Sequence, residues 1–168
     1  MKSYLPITYL EAAMPNNPPQ QLINTQICQQ NKRLNMLLFE TDAIYSEAAK
    51  RLGLIDSDYK ILYTMCHLGS KCLLADVVRL SGCNKQTVNS AMRRMEAEEL
   101  IYLQKADDGR RKLICLTEKG QNLTQNTIGR LIELENEAML NWTEEETALY
   151  IELTQRFLQD LKEKIKRL

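Results

Sequence analysis

From about residue 29 to 52, Leu34, Leu37, Leu38, Ile44 or Tyr45, Ala48 and Leu52 recur at three- and four-residue spacing. That period puts them on one side of a helix, and Gly53 ends it. A second helix is predicted over 58–68, capped by Asp56 or Ser57 and stopped by Gly69, with Tyr59, Leu62, Tyr63 and Cys66 on one stripe. A short helical run over 73–80 leads to Ser81-Gly82-Cys83, and another helix follows over 84–98. The period then changes. Two short apolar runs, 101–105 and 112–116, flank Ala106-Asp107-Asp108-Gly109-Arg110. Asp-Gly between apolar runs signals a hairpin turn, because Gly accepts positive φ. Two helices about a tight Gly-containing turn predict a helix-turn-helix, and the hairpin behind it makes the unit a winged helix. Two further helices are predicted, over 117–140 and from Thr143 to the chain end. Thr143 and Glu146 have capping-box spacing. The fold class is mainly α: a winged helix-turn-helix with a two-stranded β-wing and long terminal helices.

The helix over 84–98 can be phased. Val88, Ala91, Met92 and Met95 share a stripe that must be buried. At about 100° per residue, the opposite face is Gln86, Ser90 and Arg93, flanked by Lys85, Thr87, Asn89 and Arg94. Asn84 is a good N-cap. Amide, hydroxyl and guanidinium groups with no acid among them are the types that bond base edges and phosphates in a major groove. An ordinary solvated face has the same pattern. The preceding turn and the following hairpin favour double-stranded DNA. At the hairpin tip Arg110 and Arg111 gain little from packing and are free to meet a phosphate backbone.

The last helix carries Leu149, Tyr150, Leu153, Phe157, Leu161, Ile165 and Leu168 on an apolar stripe that is long for a helix at a chain end. Packing on the first helix would cover it. A helical homodimer interface covers both stripes and is the reading favoured.

Composition narrows the classes. Net charge over the 168 residues is zero, so the chain is not polybasic as a whole. Between residues 71 and 120, ten Lys and Arg face seven Asp and Glu, a local positive excess compatible with DNA binding. Five cysteines without paired spacing form no disulfide framework. There is no signal-peptide pattern and no apolar stretch of about 18 residues. These features predict a cytoplasmic protein without a membrane partner. His67, the single histidine, lies near Cys66 and Cys72, but about four close ligands are needed for a structural zinc. No metal, no cofactor and no enzymatic activity are expected. Cys66, Cys72 and Cys115 read as apolar-face thiols. Cys83 precedes a helix N-terminus, where a thiol can be activated.

All four prolines fall before residue 28. Residues 1–28 read as an arm packed on the dimer, 56–120 as the winged helix-turn-helix, and 29–55 with 121–168 as the helical dimerisation region.

The run Asp108-Gly109-Arg110, then Leu113, Leu116-Thr117 and Gly120, resembles the D-x-R…L-T-x-x-G signature of MarR-type transcriptional regulators. The segment from Gly82 to Val88 is similar to that family's G-[IV]-S-K-x-T-V entry to its recognition helix. The resemblance is strong over about residues 48–120 and looser beyond. Ser90 stands where many members carry a basic residue, and Glu99 where many carry Gly. The resemblance implies a homodimeric repressor on a palindromic operator, released by a small-molecule effector. It implies that Arg110 approaches the minor groove and that Asp108 holds Arg110 in place. The effector would sit between the terminal helices and the winged helix. Tyr45, Tyr59 and Tyr63 are compatible with such a pocket, and equally with core packing. A thiol-based redox sensor, or a winged-helix protein-interaction module without DNA binding, are the alternatives. In the family, peroxide-sensing members place the thiol in the first helix. Here Cys28 only borders that helix.

Overall fold

The computed structural model describes residues 26–168. The predicted arm lies almost wholly outside the described residues. The chain divides into two compact units, Met1–Ala48 and Ala49–Leu168. Helix α1, Gln26–Arg51, makes up the described part of the first unit and runs three residues into the second. Its Ile27, Leu34, Met36, Leu37, Leu38, Phe39 and Ile44 are exposed.

The second unit contains the remaining elements. Helix α2 spans Asp56–Leu68, strand β1 Lys71–Leu73, helix α3 Leu74–Leu80 and helix α4 Lys85–Ala97. Strands β2, Ile101–Lys105, and β3, Lys112–Leu116, follow with the bounds that the apolar runs predict. Then come α5, Glu118–Thr124, a π-helical turn, Gln125–Gly129, α6, Arg130–Met139, and α7, Glu144–Ile165. No helix among the described residues is long and apolar enough to cross a membrane.

Four features differ from the sequence reading. Helix α1 starts at Gln26 rather than at about residue 29, so Cys28 lies inside the first helix and not at its border. The wing belongs to a three-stranded antiparallel sheet of order β1-β3-β2, not a lone hairpin. Lys71 pairs with Cys115, Cys72 with Ile114 and Leu73 with Leu113. Three residues carry no periodic signal, and β1 exists because β3 offers it a free edge. Next, Asp56 and Ser57 lie inside α2. Its N-cap is Ile55, with no side-chain cap, and Asp56 and Asp58 instead complement the helix dipole. Finally, the helix predicted over 117–140 contains the π-helical turn, where an extra residue rephases the buried face. Thr124, Thr127, Ile128 and Leu131 all turn inward.

The core of this unit sits beneath the sheet. Ile61, Leu62 and Met65 of α2, Val77 of α3, Val88 and Met95 of α4, Ile114 of β3 and Ile128 are fully buried. The α4-to-β2 junction is held by α5. Thr117 caps α5 by accepting from the Gly120 N–H at 3.0 Å, and its hydroxyl donates to the Glu99 carbonyl at 2.7 Å. The Thr117 N–H donates to the Leu100 carbonyl at 3.0 Å. Glu99 adopts φ 58°, the left-handed stop that glycine usually supplies. The junction keeps that stop without the glycine.

Candidate nucleic-acid interface

Helix α4 begins where its sequence says it should. The Asn84 side chain accepts from the Thr87 N–H at 2.8 Å, and no acid occupies the first turn. Val88, Ala91, Met92 and Met95 are buried, as phased, which turns the other side outward. Asn84, Lys85, Gln86, Asn89, Ser90 and Arg93 are exposed, and Thr87 is half-buried. Lys85, Gln86, Asn89, Ser90 and Arg93 line one shallow open concavity of ≈ 470 Å³. Its walls carry amide, hydroxyl and cationic groups, so it can donate to and accept from a polar edge or bind an anion.

Arg94 does not belong to that face. Its Nε donates to Asp58 Oδ2 at 3.1 Å, and its Nη2 donates to Ser57 Oγ at 3.1 Å and to Asp58 Oδ1. The hydrogen bond that Arg94 donates to Asp58 raises the Arg94 pKa above its ordinary value. Grouping Arg94 with the exposed residues is therefore corrected: its guanidinium is committed to α2. Helical phase alone places it at the edge of the outer face, and only a partner 36 residues away draws it inward.

The wing also differs in detail. Gly109 N–H donates to Ala106 O at 2.8 Å, so the turn is centred on Asp107 and Asp108, with Gly109 following at φ 67°. This is a type I turn completed by a left-handed residue, one of the common longer hairpin loops. The Asp108 carboxylate accepts from the backbone N–H of Arg110 and of Arg111, both at 3.0 Å, and from Arg111 Nε at 2.5 Å. The side chain that Asp108 holds is thus that of Arg111, not of Arg110. These bonds, the Arg111 backbone first, lower the Asp108 pKa to about 2. Arg110 is exposed, and its guanidinium forms no ion pair among the described residues.

Strand register adds two residues that phasing and motif did not single out. Lys105 and Lys112 are direct partners across the β2–β3 ladder, and both are exposed. Like charges directly opposite destabilise a ladder. The arrangement suits a wing whose counter-charge comes from a bound polyanion.

The remaining predicted sites are dispersed. Tyr59 is buried in the core, with its ring edge-on to Tyr63 at 5.8 Å. Tyr63 stacks on His67 at 4.7 Å, and its hydroxyl donates to Glu135 Oε2 at 2.8 Å. Tyr45 lies in the first unit. Leu149, Tyr150, Leu153, Phe157, Leu161 and Ile165 are exposed, and α7 buries none of its residues. Trp142 meets Tyr150 edge-on at 5.3 Å. Of the thiols, Cys72 and Cys115 are buried and Cys83 is half-buried, but Cys66 is exposed rather than on a covered apolar face. No cluster of metal-ligating side chains occurs among the described residues.

No family model matches the chain, and no curated protein does. Solved structures do. NMB1585, a MarR family regulator from Neisseria meningitidis, superposes with a TM-score of 0.71 at 18% identity, over 85% of this chain and 98% of that one. The S. aureus MepR–DNA complex gives 0.64 at 19% identity, over 82% and 99%. Bordetella bronchiseptica BpsR, whose DNA binding is regulated by 6-hydroxynicotinic acid, gives 0.59 at 19%, over 77% and 98%. At such identities the likeness is one of fold. The chain has the winged-helix fold of MarR-family regulators.

Proposed function

We propose that this protein is a MarR-type transcriptional regulator and not an enzyme. It binds a palindromic double-stranded operator as a homodimer in the cytoplasm. The observation that carries the reading is the outer face of α4, whose first turn holds no acid and where Lys85, Gln86, Asn89, Ser90 and Arg93 line one concavity. Amide and hydroxyl groups of Gln86, Asn89 and Ser90 read base edges in the major groove. Lys85 and Arg93 serve the flanking phosphates, which position the helix without reading sequence. Arg110, with Lys105 and Lys112 behind it, carries the wing to the neighbouring backbone or minor groove. Arg94 is excluded from this set.

Two-fold symmetry pairs two α4 helices with two half-sites about one DNA turn apart. The dimer is formed by the exposed apolar faces of the terminal helices. The protein represses, and a small effector releases it. Support for an effector comes from BpsR, which shares the fold and whose own DNA binding is regulated by 6-hydroxynicotinic acid. Tyr63, which already bridges α2 to α6, is the best placed of the three tyrosines to feel an effector.

The test is selection of bound sequences from a random duplex library by the full-length chain, followed by affinity at several salt concentrations. A palindromic consensus, and affinity falling steeply with salt, are expected. A dimer that enriches no sequence and binds no duplex at low salt would instead be a protein-interaction module.

A further inference from the structure

Among the described residues, helix α2 is tied at two points by polar side chains to elements far away in sequence. Near its start, Asp58 is buried and grips Arg94 of α4 through both carboxylate oxygens, with Ser57 as a further acceptor. Five residues on, about 7.5 Å along the axis, the Tyr63 hydroxyl donates to Glu135 of α6 at 2.8 Å. Apolar packing between helices sets their separation and a preferred crossing angle, with about 15–20° of scatter. A two-point guanidinium–carboxylate contact narrows that scatter, because the planar fork fixes direction as well as distance. Arg94 neighbours Arg93 and lies one turn beyond Ser90, so its grip on Asp58 fixes how the outer face of α4 is rotated. The Tyr63–Glu135 bond is a one-point joint. Glu135 Oε1 is buried and has no hydrogen-bond partner among the described residues. Losing the Tyr63 bond would leave a partly buried carboxylate with neither oxygen paired, which is costly, so the two helices are held together at this point.

We infer that α2 is a strut through which α6 sets the orientation of α4, with Tyr63 and Asp58 as its positioning residues. The inference rests on the reading of α4 as the DNA-contacting helix. It goes beyond that reading by naming the joint that controls it. Movement of α6 reaches Tyr63 through Glu135, passes along the rigid helix to Asp58, and leaves through Arg94 as rotation of the reading face.

The test uses the full-length chain with Tyr63→Phe, which keeps the ring on His67 and removes only the hydroxyl, and with Glu135→Gln. Amide hydrogen exchange is read first, without DNA. Both variants should speed exchange in residues 85–97 and leave the hairpin, 101–116, unchanged. A merely local role would confine the change to 56–68 and 130–139, and that result overturns the inference. Binding is read second, on the selected duplex and on a scrambled one of equal length. Tyr63→Phe should weaken the selected duplex by about fivefold, within the range of such couplings, and the scrambled one hardly at all. Combined with Arg94→Lys, the loss should fall short of the product of the two single losses, since both cut one linkage. Independent, multiplying losses overturn the strut. If exchange in α4 responds but the wild-type chain selects no duplex, the strut stands and the regulator reading falls.

Discussion

Asp108 and Arg111 close the wing turn on themselves: one carboxylate takes two backbone N–H groups and the Arg111 side chain. The consequence falls on the residue between them. Arg110 keeps its backbone N–H in the turn and projects its guanidinium into solvent, with no ion pair among the described residues. Orientation of Arg110 therefore comes through the backbone rather than through a side-chain bond.

The wing prediction follows. Arg110→Ala should leave thermal unfolding nearly unchanged, because the side chain packs on nothing that the fold needs. It should weaken operator binding severalfold or more and reduce the log–log salt slope by about 0.9 for a lost phosphate contact. Arg111→Ala should weaken binding less, since that guanidinium is already neutralised by Asp108. Wild-type affinity in Arg110→Ala at two salt concentrations would show that the wing does not touch DNA.

Asp108 also predicts a pH dependence. An unfolded aspartate titrates near about 3.9, while folded Asp108 titrates at about 2, held there by bonds from Arg111 and Arg110. A depressed carboxylate pKa contributes stability that is complete above the unfolded value and lost as pH falls through the folded one. The turn should thus keep its bonds at pH 5 and lose them between about pH 4 and 2. In thermal unfolding, the gap between wild type and Asp108→Asn should be constant above pH 5 and close toward pH 2. A carboxyl titration of Asp108 with its midpoint near 4 would contradict the bonding.

Gly120 gives a stability prediction. A Cβ there would sit 1.9 Å from the Leu100 carbonyl oxygen, and the obstruction is backbone that cannot step aside. Gly120→Ala must separate α5 from the α4–β2 junction, straining the bonds from Thr117 to Leu100 and Glu99. Overpacking of this kind costs about 1–3 kcal/mol, and a backbone obstruction belongs at the upper end. Urea unfolding should show that loss. A midpoint within error of wild type would mean that the junction yields easily.

Much of this geometry is legible in the chain because it is local. The strand bounds follow from the two short apolar runs, the caps at Asn84 and Thr143 from side chains that reach three residues ahead. The α4 stripe follows from helical period. What escapes is set by partners distant in sequence. Arg94 looks exposed until Asp58 is brought beside it by the fold. Strand β1 is three residues of no distinctive pattern until β3 pairs with it. The clash that demands Gly120 involves a carbonyl twenty residues earlier. The π-helical turn has no composition of its own, and the packing of Ile128 and Leu131 against the core decides it. At the interface, the identity of the Asp108 partner depended on which residues centre the turn, and Asp-Gly fits more than one turn type.

Among the cysteines of the second unit, burial predicts an order of reaction. Desolvation pushes the Cys72 thiol up to about 11, so almost none is thiolate at neutral pH, and Cys115 is likewise enclosed. Cys66 is exposed and Cys83 half-buried. An aromatic disulfide reagent at pH 8 should modify Cys66 and Cys83 first and reach Cys72 and Cys115 only on unfolding. Peptide mapping after short exposure measures this. Rapid native labelling of Cys72 would mean that the sheet opens. Peroxide-dependent release from DNA that vanishes in Cys83→Ser would promote the redox reading of the regulator.

The last helix carries the prediction about assembly. Leu149, Tyr150 and Ile165 are each more than half exposed, and Leu153, Phe157 and Leu161 are 37–43% exposed. A continuous apolar face of this length in water is an interaction surface by its size. Burying one such side chain contributes about 1.5–3 kcal/mol, and a two-fold axis would count every residue twice. Leu161→Asp should therefore separate the dimer. In the isolated chain the new carboxylate stays solvated and costs little. In the dimer it must be buried without a partner, which is expensive. Gln159→Asp, about 160° round the helix, is the control and should leave assembly alone. Sedimentation at micromolar concentration should find wild type and Gln159→Asp as dimers and Leu161→Asp as a folded monomer with much weakened operator binding. A wild-type monomer, or a Leu161→Asp dimer, would place the subunit contact elsewhere on the chain.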